Sequence, residues 1–251
     1  MPAALALSPH LDDAAFSCGG TLAFLARAGW RVTMATVFTG SVPDPQGFAL
    51  ACQTDKGLSP DIDYMALRRD EDRGAAAALG IAPPRHLPFR EAPHRGYASP
   101  AELFAEVRAD DGIVPDLTRA LRDLVAETAP DLILAPQAVG GHVDHVQLVR
   151  ALDDLAPEAP ILWWRDFPYT VREAVPREPL ADHFAALPVE AIPFDAAAQA
   201  AKLTACAAYA SQLGFQFGGA DNLAAQLARE GGIERFRRSR ALPDALVRLL
   251  G

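Results

Sequence analysis

Two short segments of the sequence combine histidine and aspartate at close spacing. They are SPHLDD at residues 8–13 and GGHVDH at residues 140–145. Imidazole nitrogens and carboxylate oxygens are usual ligands of catalytic zinc, which takes three protein side chains and leaves a fourth position for water. Zinc polarises a carbonyl group and lowers the pKa of bound water towards about 7. The two segments therefore predict hydrolysis of an amide or an ester.

Each segment has a plainer interpretation when it is taken alone. Aspartate is favoured just before a helix, so Asp12 and Asp13 are also typical of a helix cap, and His142 and His145 are also typical of a solvated loop. The spacing leaves open which histidine and which aspartate bind metal. Adjacent aspartates in turning backbone point apart, so one can bind metal while the other takes a proton from water. An imidazolium nearby would stabilise the tetrahedral oxyanion.

Apolar periodicity along the chain alternates between strand and helix. Short apolar runs predict strands at residues 3–7, 30–38, 85–89, 131–136 and 161–164, and longer patterns predict helices at 21–29, 61–80, 115–127, 146–155 and 195–213. Residues 39–60 predict a long surface loop, and the charged residues 234–240 predict a last, solvated helix. The alternation predicts a single α/β domain over residues 1–251 with a mostly parallel sheet. Both polar segments follow predicted strands, so we expect them to converge at the carboxyl edge of that sheet.

The composition argues against several classes of protein. The formal net charge is -9 and no basic run offsets it, which disfavours a nucleic-acid partner. Three cysteines without a CxxC spacing predict neither a disulfide framework nor a thiolate zinc site, and they favour a reducing, cytoplasmic environment. No stretch reaches the roughly 18 apolar residues of a membrane span. Gly19 and Gly20 lack the rest of a phosphate-loop motif, so nucleotide binding is not expected.

Several motifs together resemble a known family. SPHLDDAAFSCGGTLA at residues 8–23 is similar to a His-Pro-Asp-Asp pattern followed by Gly-Gly, and GGHVDH resembles a second, His-x-x-His element. Weaker similarities are Arg68 and Glu71 ahead of Ala-Leu-Gly at 78–80, DFPY at 166–169, and Lys202 followed by YASQ at 209–212. The sequence thus resembles the PIG-L/LmbE-like de-N-acetylases, zinc enzymes that remove acetyl from N-acetylglucosamine conjugates. The resemblance implies an LmbE-like, Rossmann-like fold with three α/β/α layers.

The resemblance also implies roles for individual residues. It implies that zinc is bound by His10, Asp13 and His145, with iron(II) or cobalt(II) as alternatives for the same ligands. Asp12 would be the general base that activates a metal-bound water, and later the proton donor. His142 would stabilise the oxyanion or protonate the leaving amine.

Three further residues complete the expected site. Asp144 would fix the orientation of His142, and Arg68 and Glu91 would contact the substrate, although a solvated helix face and a surface carboxylate are equally consistent with the sequence. The chain departs from the family pattern at Leu11, in place of the usual Pro, and at Ala14, in place of a frequent Glu. The second departure puts any role of that position in doubt.

The expected function is release of acetate from a small-molecule amino-sugar conjugate. Two alternatives remain: hydrolysis of another N-acyl amide or ester by the same metal site, and a non-catalytic carbohydrate-binding protein on the same fold. Asp12 and His142 argue against the binding protein, because neither is needed to hold metal and both are needed for turnover. The sequence leaves the oligomeric state open, a homo-oligomer included.

Overall fold

A computed structural model describes residues 1–172, 174–229 and 231–251. In these residues one sheet contains seven strands: β1 (Ala3–Ser8), β2 (Arg31–Thr36), β3 (Arg85–His86), β4 (Leu132–Pro136), β5 (Ile161–Trp164), β6 (Val189–Pro193) and β7 (Ile233–Arg238). Their order across the sheet is β3-β2-β1-β4-β5-β7-β6. The first five strands along that order are parallel, and β7 runs antiparallel to both β5 and β6.

The helices surround this sheet. Those in the first part of the chain are α1 (Asp13–Arg27), α2 (Gly47–Thr54), α3 (Tyr64–Leu79), α4 (Pro100–Leu103), α5 (Val114–Thr128) and α6 (Val143–Leu155), with a 3-10 turn at Ala92–Arg95. The remaining helices are α7 (Tyr169–Arg172), α8 (Ala181–Ala185), α9 (Ala196–Ala207), α10 (Ala210–Phe217), α11 (Ala220–Ala228) and α12 (Asp244–Leu250).

Both faces of the sheet are covered by helices. Alternate residues of β1 show this, because Ala4 and Ala6 belong to one apolar cluster while Leu5 and Leu7 belong to another. Helices α1, α3 and α9 pack together beside the first cluster, and α5 packs on α6 beside the second. The predicted α/β fold, with a mostly parallel sheet between two helical layers, is confirmed.

Local signals explain where two of the helices begin. Asp63 precedes α3 and its side chain accepts the backbone N–H of Ala66 at 2.9 Å, while Gly80 ends the helix at a φ of 73°. Asp195 precedes α9 and accepts the N–H of Ala198 at 2.8 Å. These side chains fix the first turns of α3 and α9.

Some of the element predictions are wrong. Residues 39–60 contain helix α2, the predicted helix over 195–213 is divided into α9 and α10, and α1 begins at Asp13 instead of residue 21. The charged residues 234–240 belong mostly to strand β7 and not to a solvated helix. The reason is visible at Glu234, which is 2% exposed because it points into the core.

Glu234 compensates a break in helix α1. The backbone at Cys18 is non-helical, with φ −136° and ψ 17°. Just beyond it, the N–H groups of Gly20 and Thr21 donate to the Glu234 carboxylate at 2.9 and 2.8 Å. Lys202 also donates to that carboxylate, at 2.8 Å, and is 2% exposed. The buried ion pair therefore joins β7 and α9 to the middle of α1.

Gly20 serves packing at this point. A Cβ placed on Gly20 would lie 2.4 Å from the ring of Phe194, so only glycine leaves room for that ring. In the described part of the chain, no helix combines the length and apolar character required to cross a bilayer.

Candidate metal centre and active site

The two polar segments meet where the strand order of the sheet reverses. β1 and β4 are adjacent and parallel, and the order runs to β2 and β3 on one side and to β5 on the other. Crevices outside the carboxyl ends of strands at such a point are the usual ligand sites of open α/β sheets. The segment after β1 leads into α1 and the segment after β4 leads into α6, so both helices begin at the crevice.

Three side-chain atoms form a small triangle in this crevice. Asp13 Oδ2 lies 3.2 Å from His10 Nδ1 and 3.1 Å from His145 Nε2, and the two nitrogens are 3.3 Å apart. Ligand atoms about 2.0–2.1 Å from a tetrahedral zinc ion are themselves about 3.3 Å apart. The three atoms thus have the spacing of one face of a zinc tetrahedron, and their fourth neighbour would be water or substrate.

The second nitrogen of each histidine in the triangle contacts a carboxylate. His10 Nε2 lies 2.9 Å from Asp144 Oδ2, and His145 Nδ1 lies 2.7 Å from Asp166 Oδ1. A carboxylate at that position keeps the proton on the outer nitrogen, so the inner lone pair is free for a metal ion. The donor set and its supports therefore fit a divalent cation.

His142 is close to the triangle but differs from its members. Its nearest ring nitrogen joins those of His10 and His145 in a group within 4.8 Å, which is looser than the Asp13 triangle. His142 is the N-cap residue of α6, and its Nδ1 accepts the backbone N–H of Asp144 at 3.2 Å. The neutral ring therefore carries its proton on Nε2. Burial lowers the pKa of His142 well below its ordinary value, which favours a neutral N–H donor over the expected imidazolium.

The side chain of Asp144 does not make a hydrogen bond to the ring of His142, although it was expected to orient that ring. Its carboxylate is 4.0 Å from His142 Nδ1, and Oδ2 instead contacts His10 and accepts the backbone N–H of Ala92 at 3.1 Å. The orientation of His142 is thus fixed by the backbone of Asp144, while its side chain supports His10.

Asp12 is buried next to the triangle, and one oxygen of its carboxylate lacks a hydrogen bond from the described residues. It is 3% exposed, and among the described residues its Oδ2 has no hydrogen-bond partner. Burial raises the pKa of Asp12 to about 7, although the nearby Arg68 guanidinium opposes the rise. A carboxylate with a pKa near neutrality and an unused oxygen is suited to act as a general base.

Arg68, which is buried, and Glu91, which is partly buried, are brought together as an ion pair. Arg68 Nη1 donates to Glu91 Oε1 at 2.8 Å, and its Nη2 donates to the carbonyl oxygen of Leu11 at 3.1 Å. The same Nη2 lies 3.5 Å from Asp12 Oδ2. Because Arg68 is only 5% exposed, the alternative of a solvated helix face does not hold.

The loop after β4 depends on two glycines with positive φ. Gly140 and Gly141 have φ values of 92° and 79°, in the left-handed region that side chains disfavour. A Cβ on Gly140 would also lie 2.6 Å from the ring of Tyr169. These glycines allow the turn that places His145 in the triangle and His142 beside it.

A cleft leads from the triangle to the surface and encloses about 920 Å³, part of it open to solvent. Its inner end is polar and is formed by residues described above. The rest of its lining is largely apolar and aromatic, from Phe48, Tyr64, Pro93, Pro100, Leu103, Phe104, Tyr169 and Phe215, and it also includes Cys52, Asp55, Lys56, Gln212 and Gln216. Phe215 is 62% exposed and is the most exposed of these aromatic residues.

Three residues at the site were not among the predicted site residues. Asp166 supports His145, Arg95 forms an ion pair with Asp144 at 2.8 Å, and Tyr169 lines the cleft. Asp166 and Tyr169 belong to the DFPY motif, so the weak similarity there was the available signal. Arg95 carried no signal in the sequence.

Comparisons with known proteins identify deacetylases that are similar in sequence and in fold. The chain is 36% identical over 174 residues to 2'-N-acetylparomamine deacetylase of Streptomyces fradiae, which covers 68% of this chain and 59% of that protein. The chain therefore spans about three fifths of the length of that relative.

Solved structures are similar over nearly the whole chain. The A40926 pseudoaglycone deacetylase is 31% identical with a TM-score of 0.78, covering 96% of this chain and 98% of the other. The zinc-inhibited form of teicoplanin deacetylase is 27% identical with a TM-score of 0.77, covering 95% and 98%. The sequence profile described as GlcNAc-PI de-N-acetylase matches residues 5–156. By this match over more than half of its length, the chain belongs to the PIG-L family of de-N-acetylases.

Proposed function

We propose that the chain hydrolyses the N-acetyl group of an amino sugar that carries a larger substituent. The observation that supports this most strongly is the triangle of His10, Asp13 and His145 with Asp12 beside it, whose Oδ2 accepts no hydrogen bond from the described residues. The three ligands would hold a divalent cation, for which we propose zinc. When bound, such a cation supplies Lewis acidity, which polarises an amide carbonyl and makes water more acidic.

The residues of the site divide the remaining chemistry. Asp12 takes a proton from the attacking water, whose oxygen forms a bond with the acetyl carbonyl carbon. The Nε2–H of His142 donates a hydrogen bond to the oxyanion that develops. As the C–N bond breaks, Asp12 returns its proton to the sugar nitrogen. One water is consumed, and acetate and a free amine are released.

Arg68 has a supporting part in this scheme. Its guanidinium lies between Asp12 and Glu91 and also holds the backbone of Leu11. It therefore limits the rise in the pKa of Asp12 and fixes the turn that carries the base. We propose that Glu91, which lines the cleft, contacts a hydroxyl of the sugar.

The outer cleft supports a proposal about the substituent. Similar proteins include deacetylases named for 2'-N-acetylparomamine and for the A40926 pseudoaglycone. Aromatic walls formed by Phe48, Phe104 and Phe215 favour apolar or aromatic surfaces. We therefore propose a substituent with an aromatic or apolar face, in preference to a small polycation.

The test is a deacetylation assay with detection of the freed amine. Free N-acetylglucosamine, its 4-nitrophenyl glycoside and 2'-N-acetylparomamine are compared, with and without a chelator. We expect metal-dependent release that is fastest for the aryl glycoside, and loss of that preference in Phe215→Ala. No acetate release from any N-acetylated sugar by zinc-loaded protein, together with binding of the sugars, would support the binding-protein alternative. Equal rates on propionyl amides or acetate esters would favour the broader hydrolase.

A further inference from the structure

Arg95 forms a chain of charged contacts that ends at a residue of the metal triangle. Its Nη2 lies 2.8 Å from Asp144 Oδ1, and Asp144 Oδ2 contacts His10 Nε2 at 2.9 Å. Asp144 is fully buried and Arg95 is mostly buried, with side-chain exposures of 0% and 12%. The three side chains therefore form a continuous path inside the protein.

The ion pair with Arg95 offsets the cost of burying Asp144 Oδ1. Within the described part of the chain, this oxygen accepts no well-directed hydrogen bond, so the charge of Arg95 is what offsets its burial. The other oxygen is fully used by His10 and by the backbone N–H of Ala92 at 3.1 Å. If Arg95 were removed, the charged form of Asp144 would be strongly destabilised at its buried position.

Arg95 itself is fixed from several directions. Its Nε and Nη2 donate to the two oxygens of Asp111 at 3.0 and 2.9 Å, and its Nη1 donates to the carbonyl oxygen of Arg90 at 2.7 Å. Its guanidinium also lies 5.1 Å from the ring centre of Phe38. A planar, multiply bonded guanidinium of this kind presents its charge to Asp144 at a fixed position.

We infer that Arg95 is a positioning residue for the metal centre: it fixes the Asp144 carboxylate, which in turn orients the ring of His10. With Nε2 donating to Asp144, the Nδ1 lone pair faces Asp13 and His145. This inference rests on the proposed metal site. It also links that site to the segment 90–112, which carries the cleft residues Pro93 and Phe104.

The test measures zinc affinity without substrate, by competition with a chromophoric chelator. Replacing a residue that supports a metal ligand typically weakens binding 10- to 100-fold. We expect Arg95→Met to weaken zinc binding about tenfold or more, and Arg95→Lys to fall between that variant and wild type because it keeps the charge but not the planar fork. The visible spectrum of the cobalt(II)-loaded protein should change in Arg95→Met, since the ring of His10 is no longer held.

Tyr97→Phe is the matched control. The Tyr97 hydroxyl donates to Asp111 at 3.0 Å and accepts the N–H of Arg108 at 3.1 Å, in the same segment but away from Asp144. We expect its zinc affinity to stay within about twofold of wild type. Equal losses in Tyr97→Phe and Arg95→Met would show that loosening the segment is enough, and would overturn the inference.

A double-mutant cycle with Asp144→Asn tests whether Arg95 acts on zinc affinity through Asp144. We expect Arg95→Met to cause no further loss of zinc affinity once Asp144 has been replaced. A full additional loss, or wild-type affinity in Arg95→Met, would contradict the role of Arg95. Deacetylation is then assayed at saturating zinc: if wild type binds zinc as expected but hydrolyses no N-acetylated sugar, the proposed function fails while the inference stands.

Discussion

At the scale of single residues, two adjacent aspartates differ because their surroundings differ. His145 and His10 hold the pKa of Asp13 well below its ordinary value although burial alone would raise it, whereas burial raises the pKa of Asp12 to about 7. Environments that separate the pKa values of neighbouring carboxyls commonly separate their roles in catalysis. Asp13 is suited to be a ligand and Asp12 a base.

A change at Arg68 should move the pH dependence of the reaction. Asp12 accepts a proton only when ionised, so kcat/KM should fall tenfold per pH unit below its pKa. That limb lies below about pH 7, because a bound cation, like the Arg68 guanidinium, stabilises the ionised carboxylate of Asp12 and so lowers its pKa. Arg68→Gln removes a positive charge 3.5 Å from Asp12, so we expect the limb to move to higher pH.

The control is Arg73→Gln on the same helix, where the side chain is 53% exposed. Its pH profile of kcat/KM should match that of wild type. A limb that stays in place in Arg68→Gln, with only KM raised, would mean that Arg68 acts on the substrate alone.

The state of His142 can be tested with an uncharged replacement. If a neutral N–H stabilises the oxyanion, His142→Gln should keep more activity than His142→Ala, for which we expect a loss in kcat of about 10²–10³-fold. Single-turnover rates at saturating zinc are the measurement. Equal loss in both variants would instead indicate that a protonated imidazole transfers a proton to the leaving amine.

At the scale of elements, the buried pair of Lys202 and Glu234 should contribute strongly to the stability of the fold. Glu234→Gln removes the negative charge that faces the buried Lys202 ammonium and weakens the acceptor for two N–H groups of α1. Breaking a buried pair from one side costs about 3–5 kcal/mol, and we expect a decrease in the free energy of unfolding of this size by urea titration. Glu190 is a partly exposed partner of Arg238 on the neighbouring strand, and Glu190→Gln should change the free energy of unfolding by less than about 1 kcal/mol.

The same pair shows why part of the fold could not be predicted. β1 and β4 were predictable because both faces of these strands are apolar, and the motifs after them were recognisable in type and spacing. β7 was not, because its inward positions are Glu234 and Phe236, and the buried carboxylate is stabilised by Lys202 and by two backbone N–H groups of α1. Periodicity reports apolar burial and does not report a charge paired across the chain.

The candidate site divides in the same way. The residues of the triangle and Asp12 are close in sequence within two motifs, so a family resemblance could identify them. Arg95 and Asp166 reach the site from other segments and contact only the outer atoms of Asp144 and His145. Their part depends on tertiary distances, which spacing along the chain does not contain.

At the scale of the whole molecule, the proposed metal joins two parts of the sheet that the chain builds separately. His10 and Asp13 follow β1, and His145 follows β4. A ligand that binds only the folded state stabilises it by about 2.7 kcal/mol when its free concentration is 100 times its Kd. We therefore expect the melting temperature to rise with zinc concentration and to return to its starting value when a chelator is added.

His145→Ala is the variant that tests whether this stabilisation comes from the triangle. It removes the ligand that follows β4 and keeps the two that follow β1, so zinc can no longer link the segments. Its melting temperature should be insensitive to zinc over the range that stabilises wild type, whereas Asp12→Asn should still respond, because Asp12 is proposed to be a base and not a ligand. If Asp12→Asn lost the response and His145→Ala kept it, the division of the two motifs into ligands and base would be wrong.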